Sequence, residues 1–238
     1  MCLISLGVLI SPARADHDES KSVVVGNKLY VGTSYWNSST SQSENQVWEY
    51  DGTNNPTSIK DFGSSSVYGV YSLGSKVVVF VYESSSYYFY VYDPSNSSWG
   101  SGVNLGNNWP SYVTTFNSKL YFSRYSSDSY YISSFDGSTV TKEKNFGRSY
   151  PSYLTLFNSK LYFVAGSGST YTFYSYDGTT FTSETTLSSS VSKMVKYNSK
   201  LYMVLYSYSS GTSSYSIYSY DGTTLTKVAS LGSNYPNG

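Results

Sequence analysis

Apolar and polar residues alternate along most of this chain in short runs, and each run ends at a polar turn. Ser111 to Phe116 reads as a strand, here called A, followed by a turn at Asn117-Ser118-Lys119. Leu120 to Tyr125 reads as strand B, with a loop over Ser126 to Asp128. Ser129 to Phe135 reads as strand C, then a tight turn at Asp136-Gly137, then strand D from Thr139 to Phe146. Period-two alternation between turn residues is the mark of a half-buried strand. Asp-Gly between two such runs predicts a hairpin, because both residues tolerate positive φ.

The whole unit recurs. An aromatic residue precedes Asp-Gly at Asp51, Asp136, Asp177 and Asp221, and Tyr92-Asp93-Pro94 fills the remaining gap. The intervals between these aspartates are 42, 43, 41 and 44 residues. A second marker keeps step: Asn117-Ser118-Lys119-Leu120-Tyr121 returns at Asn158 and at Asn198, with weaker copies at Gly26 and Gly74. Two independent markers with one period predict five copies of a four-stranded unit. The expected boundaries are about 22–63, 64–106, 107–147, 148–188 and 189–232, within a single domain over 22–238.

Four strands in about 42 residues is the size of one propeller blade. On these markers the chain resembles the β-propeller superfamily. In blade number and blade length it is similar to the five-bladed tachylectin-type lectins. The resemblance implies an all-β, five-bladed β-propeller of four-stranded antiparallel blades. It lies in architecture: there is no Trp-Asp dipeptide of the WD40 kind and no double glycine of the kelch kind, so no family's functional residues are carried over.

Composition narrows the function. There are 29 Tyr, 11 Phe and 4 Trp, a strand-favouring set. Charged residues are 13% of the chain, and 15 Lys+Arg balance 15 Asp+Glu. That is about half the roughly 25% usual for globular domains. A neutral, hydroxyl-rich surface is a poor match for nucleic acid, which demands many cations on phosphates. No segment is long and apolar enough to span a membrane as a helix. The lone Cys2 excludes an internal disulfide.

Residues 1–15 have the form of a secretory leader. An apolar run from Cys2 to Ile10 is broken at Ser11-Pro12, and Ala13-Arg14-Ala15 offers a cleavage site. No basic residue precedes the run, and an extra apolar β-strand is the other reading. A charged segment, 16–21, follows; it holds the only histidine, His17. Ser-His-Asp, Cys-His and His- or Cys-built zinc sites are therefore excluded from the repeats. The sequence implies no catalytic residues, no metal and no cofactor.

In a four-stranded meander, the A–B and C–D turns share one end of the sheet. The B–C loops and D–A linkers share the other. Asp51, Asp93, Asp136, Asp177 and Asp221 are expected to cap their own turns. The opposite end carries the variation: a B–C connection read as a long loop over Ser34 to Asn45, holding Trp36, and linkers with Trp109, Tyr150 and Tyr235. Aromatic rings beside amides and hydroxyls suit a sugar's C–H face and OH groups; the same rings could instead wedge between blades. Asn37 and Asn96 begin N-glycosylation triplets. The expectation is a secreted, extracellular, non-catalytic binding module for glycans or a glycosylated surface. The alternative is a structural subunit that assembles with copies of itself into a fibre or surface layer, by strand addition through its N-terminal segment.

Overall fold

The computed structural model describes residues 21–234. The expected leader, His17 and Tyr235 lie outside the described residues. The chain is all-β, and its strands form five antiparallel sheets in chain order. Sheet one comprises β1 Ser22–Val25, β2 Lys28–Asn37, β3 Gln42–Tyr50 and β4 Thr57–Asp61. Sheet two comprises β5 Ser66–Leu73, β6 Lys76–Glu83, β7 Ser86–Asp93 and a divided outer strand, β8 Ser98–Trp99 and β9 Val103–Gly106. Sheet three holds β10 Ser111–Phe116, β11 Lys119–Ser126, β12 Ser129–Phe135 and β13 Val140–Gly147. Sheet four holds β14 Tyr150–Phe157, β15 Lys160–Ser167, β16 Thr170–Tyr176 and β17 Phe181–Leu187. Sheet five holds β18 Ser190–Tyr197, β19 Lys200–Ser209, β20 Thr212–Tyr220 and β21 Leu225–Gly232. This is the blade architecture of a propeller. Each sheet draws its strands from one continuous stretch.

The turns fold for different reasons. Asn117-Ser118, Asn158-Ser159 and Asn198-Ser199 all have positive φ at both residues, between 42° and 59°. That is the type I′ geometry whose twist matches flanking strands. This role was expected of Asp-Gly, and the structure corrects it. Only the glycine there is left-handed, at φ 102° for Gly137, 105° for Gly178 and 110° for Gly222. The C–D connection is a four-residue loop, and the aspartate holds it with its side chain. Asp177 accepts from Thr179 N and Thr180 N, both at 2.8 Å, and from Thr179 Oγ1 at 2.7 Å.

A second correction concerns Ser34 to Asn45. The polar composition reads as a long loop, but β2 and β3 run through it, pairing Ser34 with Asn45 and Asn37 with Gln42. Cross-strand pairs such as Ser34 Oγ to Asn45 Oδ1, 2.7 Å, hold the extension together. The first hairpin therefore projects beyond its sheet, as the β19–β20 hairpin does in sheet five.

The core lies between sheets. The inner strands β1, β5, β10, β14 and β18 pack each against the next. Four buried apolar clusters follow, one at each junction from sheets one–two to sheets four–five. Strand alternation makes each sheet two-sided. On β15, Leu161 and Phe163 pack toward sheet three, while Tyr162 and Val164 pack toward sheet five. Burying one such aromatic contributes about 1.5–3 kcal/mol.

Candidate functional site

The site is built from two irregularities in neighbouring strands. β10 breaks register between Ser111 and Thr114, and β14 between Ser152 and Thr155. A β-bulge bends its strand and re-aims a side chain. At both bulges the re-aimed residue is a tyrosine with left-handed backbone: Tyr112 at φ 54° and Tyr153 at φ 59°. A bulky residue at positive φ is strained, at a cost on the order of 1–3 kcal/mol, and such strain gathers at functional sites.

The two rings meet at 5.1 Å between centroids. Tyr150 joins them, 6.1 Å from Tyr112, and is itself backed by Tyr130 at 4.9 Å. Tyr171 closes the far wall. A Cβ at Gly166 would lie 2.2 Å from the Tyr171 ring, so that wall depends on the glycine. The result is a cleft of about 330 Å³ lined by Tyr112, Tyr150, Tyr153, Tyr171, Ser152 and Val191 among others. All four tyrosines are half-buried. The Tyr171 hydroxyl donates to Gly168 O at 3.0 Å, and Ser152 Oγ donates to Val164 O at 3.2 Å.

The cleft sits where A strands begin and B strands end. That is the sheet end which the sequence marked as variable. It combines flat apolar ring faces with hydroxyls and carries no charged side chain among its lining residues. Such a surface can stack on a planar apolar face and exchange hydrogen bonds with ligand hydroxyls.

The sequence-predicted residues distribute unevenly. Tyr150 lines the cleft. Trp109 wedges between sheets two and three, 4.3 Å from Tyr68, 5.1 Å from Phe80 and 5.3 Å from Tyr87, each edge to face. Trp36 stands on the projecting first hairpin, 65% exposed and outside the cleft. Tyr112, Tyr153 and Tyr171 were missed. A signal was available for two of them: Pro110-Ser111-Tyr112 repeats as Pro151-Ser152-Tyr153.

At the opposite end, each aspartate accepts from residues two positions on, and most also from three on. Asp51 accepts from Thr53 N and Asn54 N, and Asp93 from Ser95 N. Asp136 accepts from Ser138 N and Thr139 N, and Asp221 from Thr223 N and Thr224 N. These backbone donors, with the hydroxyls of Thr179 and Thr223, hold Asp177 and Asp221 down at about 2. Asp51, Asp93 and Asp136 are lowered by the same kind of contact. Asn37 Oδ1 accepts from Ser39 N at 2.9 Å, and Asn96 Oδ1 from Ser98 N at 3.1 Å. Among the described residues, no group of three or more His, Cys, Asp or Glu could hold a metal ion, and no helix is long and apolar enough to cross a membrane.

No family model and no curated protein matches the chain. Several solved structures are similar to most of it. Acylaminoacyl peptidase from Pyrococcus horikoshii aligns at TM-score 0.54 and 12% identity, over 88% of this chain and 38% of that one. Oligopeptidase B from Trypanosoma brucei aligns at TM-score 0.54 and 10% identity, over 90% of this chain and 35% of that one. TolB from Acinetobacter baumannii aligns at TM-score 0.50 and 14% identity, over 84% of this chain and 53% of that one. The chain thus spans only about a third to a half of these proteins. At such identities the likeness concerns fold alone.

Proposed function

We propose that this protein is a non-catalytic binding module, secreted and extracellular, whose site is the tyrosine cleft on sheet four, flanked by Tyr112 of sheet three and Val191 of sheet five. Its ligand is carbohydrate, free or on a glycosylated surface. One observation carries the reading: two neighbouring tyrosines, each at a strand bulge with left-handed backbone, are turned into one uncharged cleft. Both rings also pack at their inner edges against the buried clusters on either side of sheet four. The strained backbone holds the ring faces ready, which reduces the ordering cost of binding. The neutral, hydroxyl-rich surface fits a neutral polar ligand.

The test is Tyr153→Gly. Glycine accepts positive φ without strain, so the substitution removes the ring and spares the backbone. Isothermal titration with a panel of neutral mono- and oligosaccharides should show binding by the parent. The variant should bind at least about tenfold more weakly, the loss of roughly 1.4 kcal/mol. Relief of the left-handed strain offsets part of the ring's lost packing against the sheet four–five cluster, so its urea midpoint should fall only modestly, with an unchanged far-UV circular dichroism spectrum showing that it folds. No heat from any sugar with the folded parent, at millimolar concentration, would sink the reading.

A further inference from the structure

We propose that the outer face of sheet five binds the outer face of sheet one of a second copy of this chain, head to tail. This mode is independent of the cleft and needs no added strand.

Equivalent positions of the repeat differ in burial at the two end sheets. The residue before each A–B turn is buried in four sheets: Val25 at 8%, Leu73 at 7%, Phe116 at 4% and Phe157 at 1%. Its counterpart in sheet five, Tyr197, is 62% exposed. The position of Val47, Phe89, Ile132 and Phe173, each 0% exposed, is filled in sheet five by a half-exposed Ile217. Val204 and Tyr202 are uncovered in the same way. Together with Val195 they line a shallow apolar hollow of about 260 Å³.

Sheet one shows the complementary half. Leu120, Leu161 and Leu201 are fully buried against the preceding sheet, but their counterpart Leu29 is half-exposed. Tyr92, Phe135, Tyr176 and Tyr220 are buried, but their counterpart Tyr50 is 36% exposed. So one junction type occurs four times inside the molecule, and its two halves are left over at the ends. Among the described residues, no buried cluster joins β18–β21 to β1–β4.

The turns repeat the message. A Cβ on Gly178 of sheet four would lie 2.6 Å from Asn117 Nδ2 of sheet three. One on Gly222 of sheet five would lie 3.2 Å from Asn158 Nδ2 of sheet four. Gly52 of sheet one meets nothing within 4 Å. Its equivalent partner is Asn198 of sheet five. The projecting hairpins extend both faces with exposed aromatics, Tyr35 at 49% and Tyr208 at 65%. Charge agrees at the same end of the sheets: Lys193 borders the hollow, and Glu44 lies opposite Tyr35 on the first hairpin. A contact between two different faces is heterologous, so it propagates rather than stopping at a pair.

The experiment is sedimentation velocity on the full chain, from low to high micromolar. Val204→Asp disables the sheet-five face, and Val31→Asp disables the sheet-one face. The parent should grow beyond dimer with concentration. Each variant alone should stay at 26.4 kDa. Their equimolar mixture should stop at twice that mass, because one intact pair of faces remains. Far-UV circular dichroism checks that both variants fold; should either not, Tyr197→Ser and Tyr50→Ser replace them at exposed positions. A parent that stays monomeric throughout overturns the proposal, whether its own first sheet or its N-terminal segment covers the face. So does a mixture that fails to associate.

Discussion

Sheets four and five carry nearly the same repeat, yet one is buried on both faces and the other on one. Both have the Asn-Ser turn, the Lys-Leu-Tyr start of strand B and the Tyr-Asp-Gly loop. In sheet four, Phe157, Val164 and Phe173 are at most 1% exposed. In sheet five the same positions hold Tyr197, Val204 and Ile217, exposed or half-exposed. The repeat thus encodes half-junctions, and burial is decided by whether a neighbour supplies the other half. Sheet five has Tyr for Phe at position 197, and its hydroxyl suits an exposed position.

The sharpest way to break this comparison is a matched truncation. Phe173→Ala should cost about 3–5 kcal/mol, because a fully buried ring leaves a cavity. Ile217→Ala, at the same repeat position, should cost less than about 1 kcal/mol in dilute monomer, since solvent already reaches it. Urea unfolding of both proteins gives the contrast directly. Equal losses would mean that sheet five is covered in solution.

A smaller effect compares glycines. Gly178→Ala meets both a positive φ and an Asn117 side chain, so about 1–3 kcal/mol should be lost. Gly52→Ala meets only the backbone strain, at φ 89° in open space, and should lose about 1 kcal/mol. Thermal midpoints rank the pair. If the two substitutions cost the same, the Gly178–Asn117 contact has no weight.

The smallest effect is in acid. Asp177 and Asp221 sit at about 2 when folded, below the ordinary carboxylate value of 3.8. A depressed folded value means stability that is fully present above about pH 4 and lost as pH falls toward 2. Asp177→Asn and Asp221→Asn should each flatten that acid limb slightly without moving the neutral-pH midpoint by much. Both aspartates behave alike because each bonds within its own loop. A difference between the two would show that the loop surroundings, rather than the cap alone, set the acid limb. In base the sign reverses. Burial and the Glu83 hydrogen bond push Tyr90 up to about 12, so folding opposes its ionisation and stability falls above about pH 10.

Most of the strand plan was legible because turn chemistry is local. Asn, Ser, Asp and Gly announce themselves by the backbone angles they tolerate, so strand limits such as Ser111–Phe116 and Ser129–Phe135 agree with the sequence to the residue. The first hairpin failed for the same reason. Its Ser, Thr and Asn residues favour turns singly, but a strand already in register overrides that preference. The cleft was half legible. Tyr150 shows in the linker pattern, whereas a bulge depends on pairing register, which no single strand encodes. Trp109 is wedged against Tyr68, Phe80 and Tyr87, because a linker that crosses between sheets passes over their junction.

Because each sheet closes on one continuous stretch of about 42 residues, no strand pairing among the described residues spans more than a single repeat. During synthesis, a sheet can pair as soon as its fourth strand emerges, long before the chain is finished. Repeat number then becomes a variable apart from fold. A unit gained or lost by duplication or deletion would lengthen or shorten the array while leaving every remaining hairpin intact.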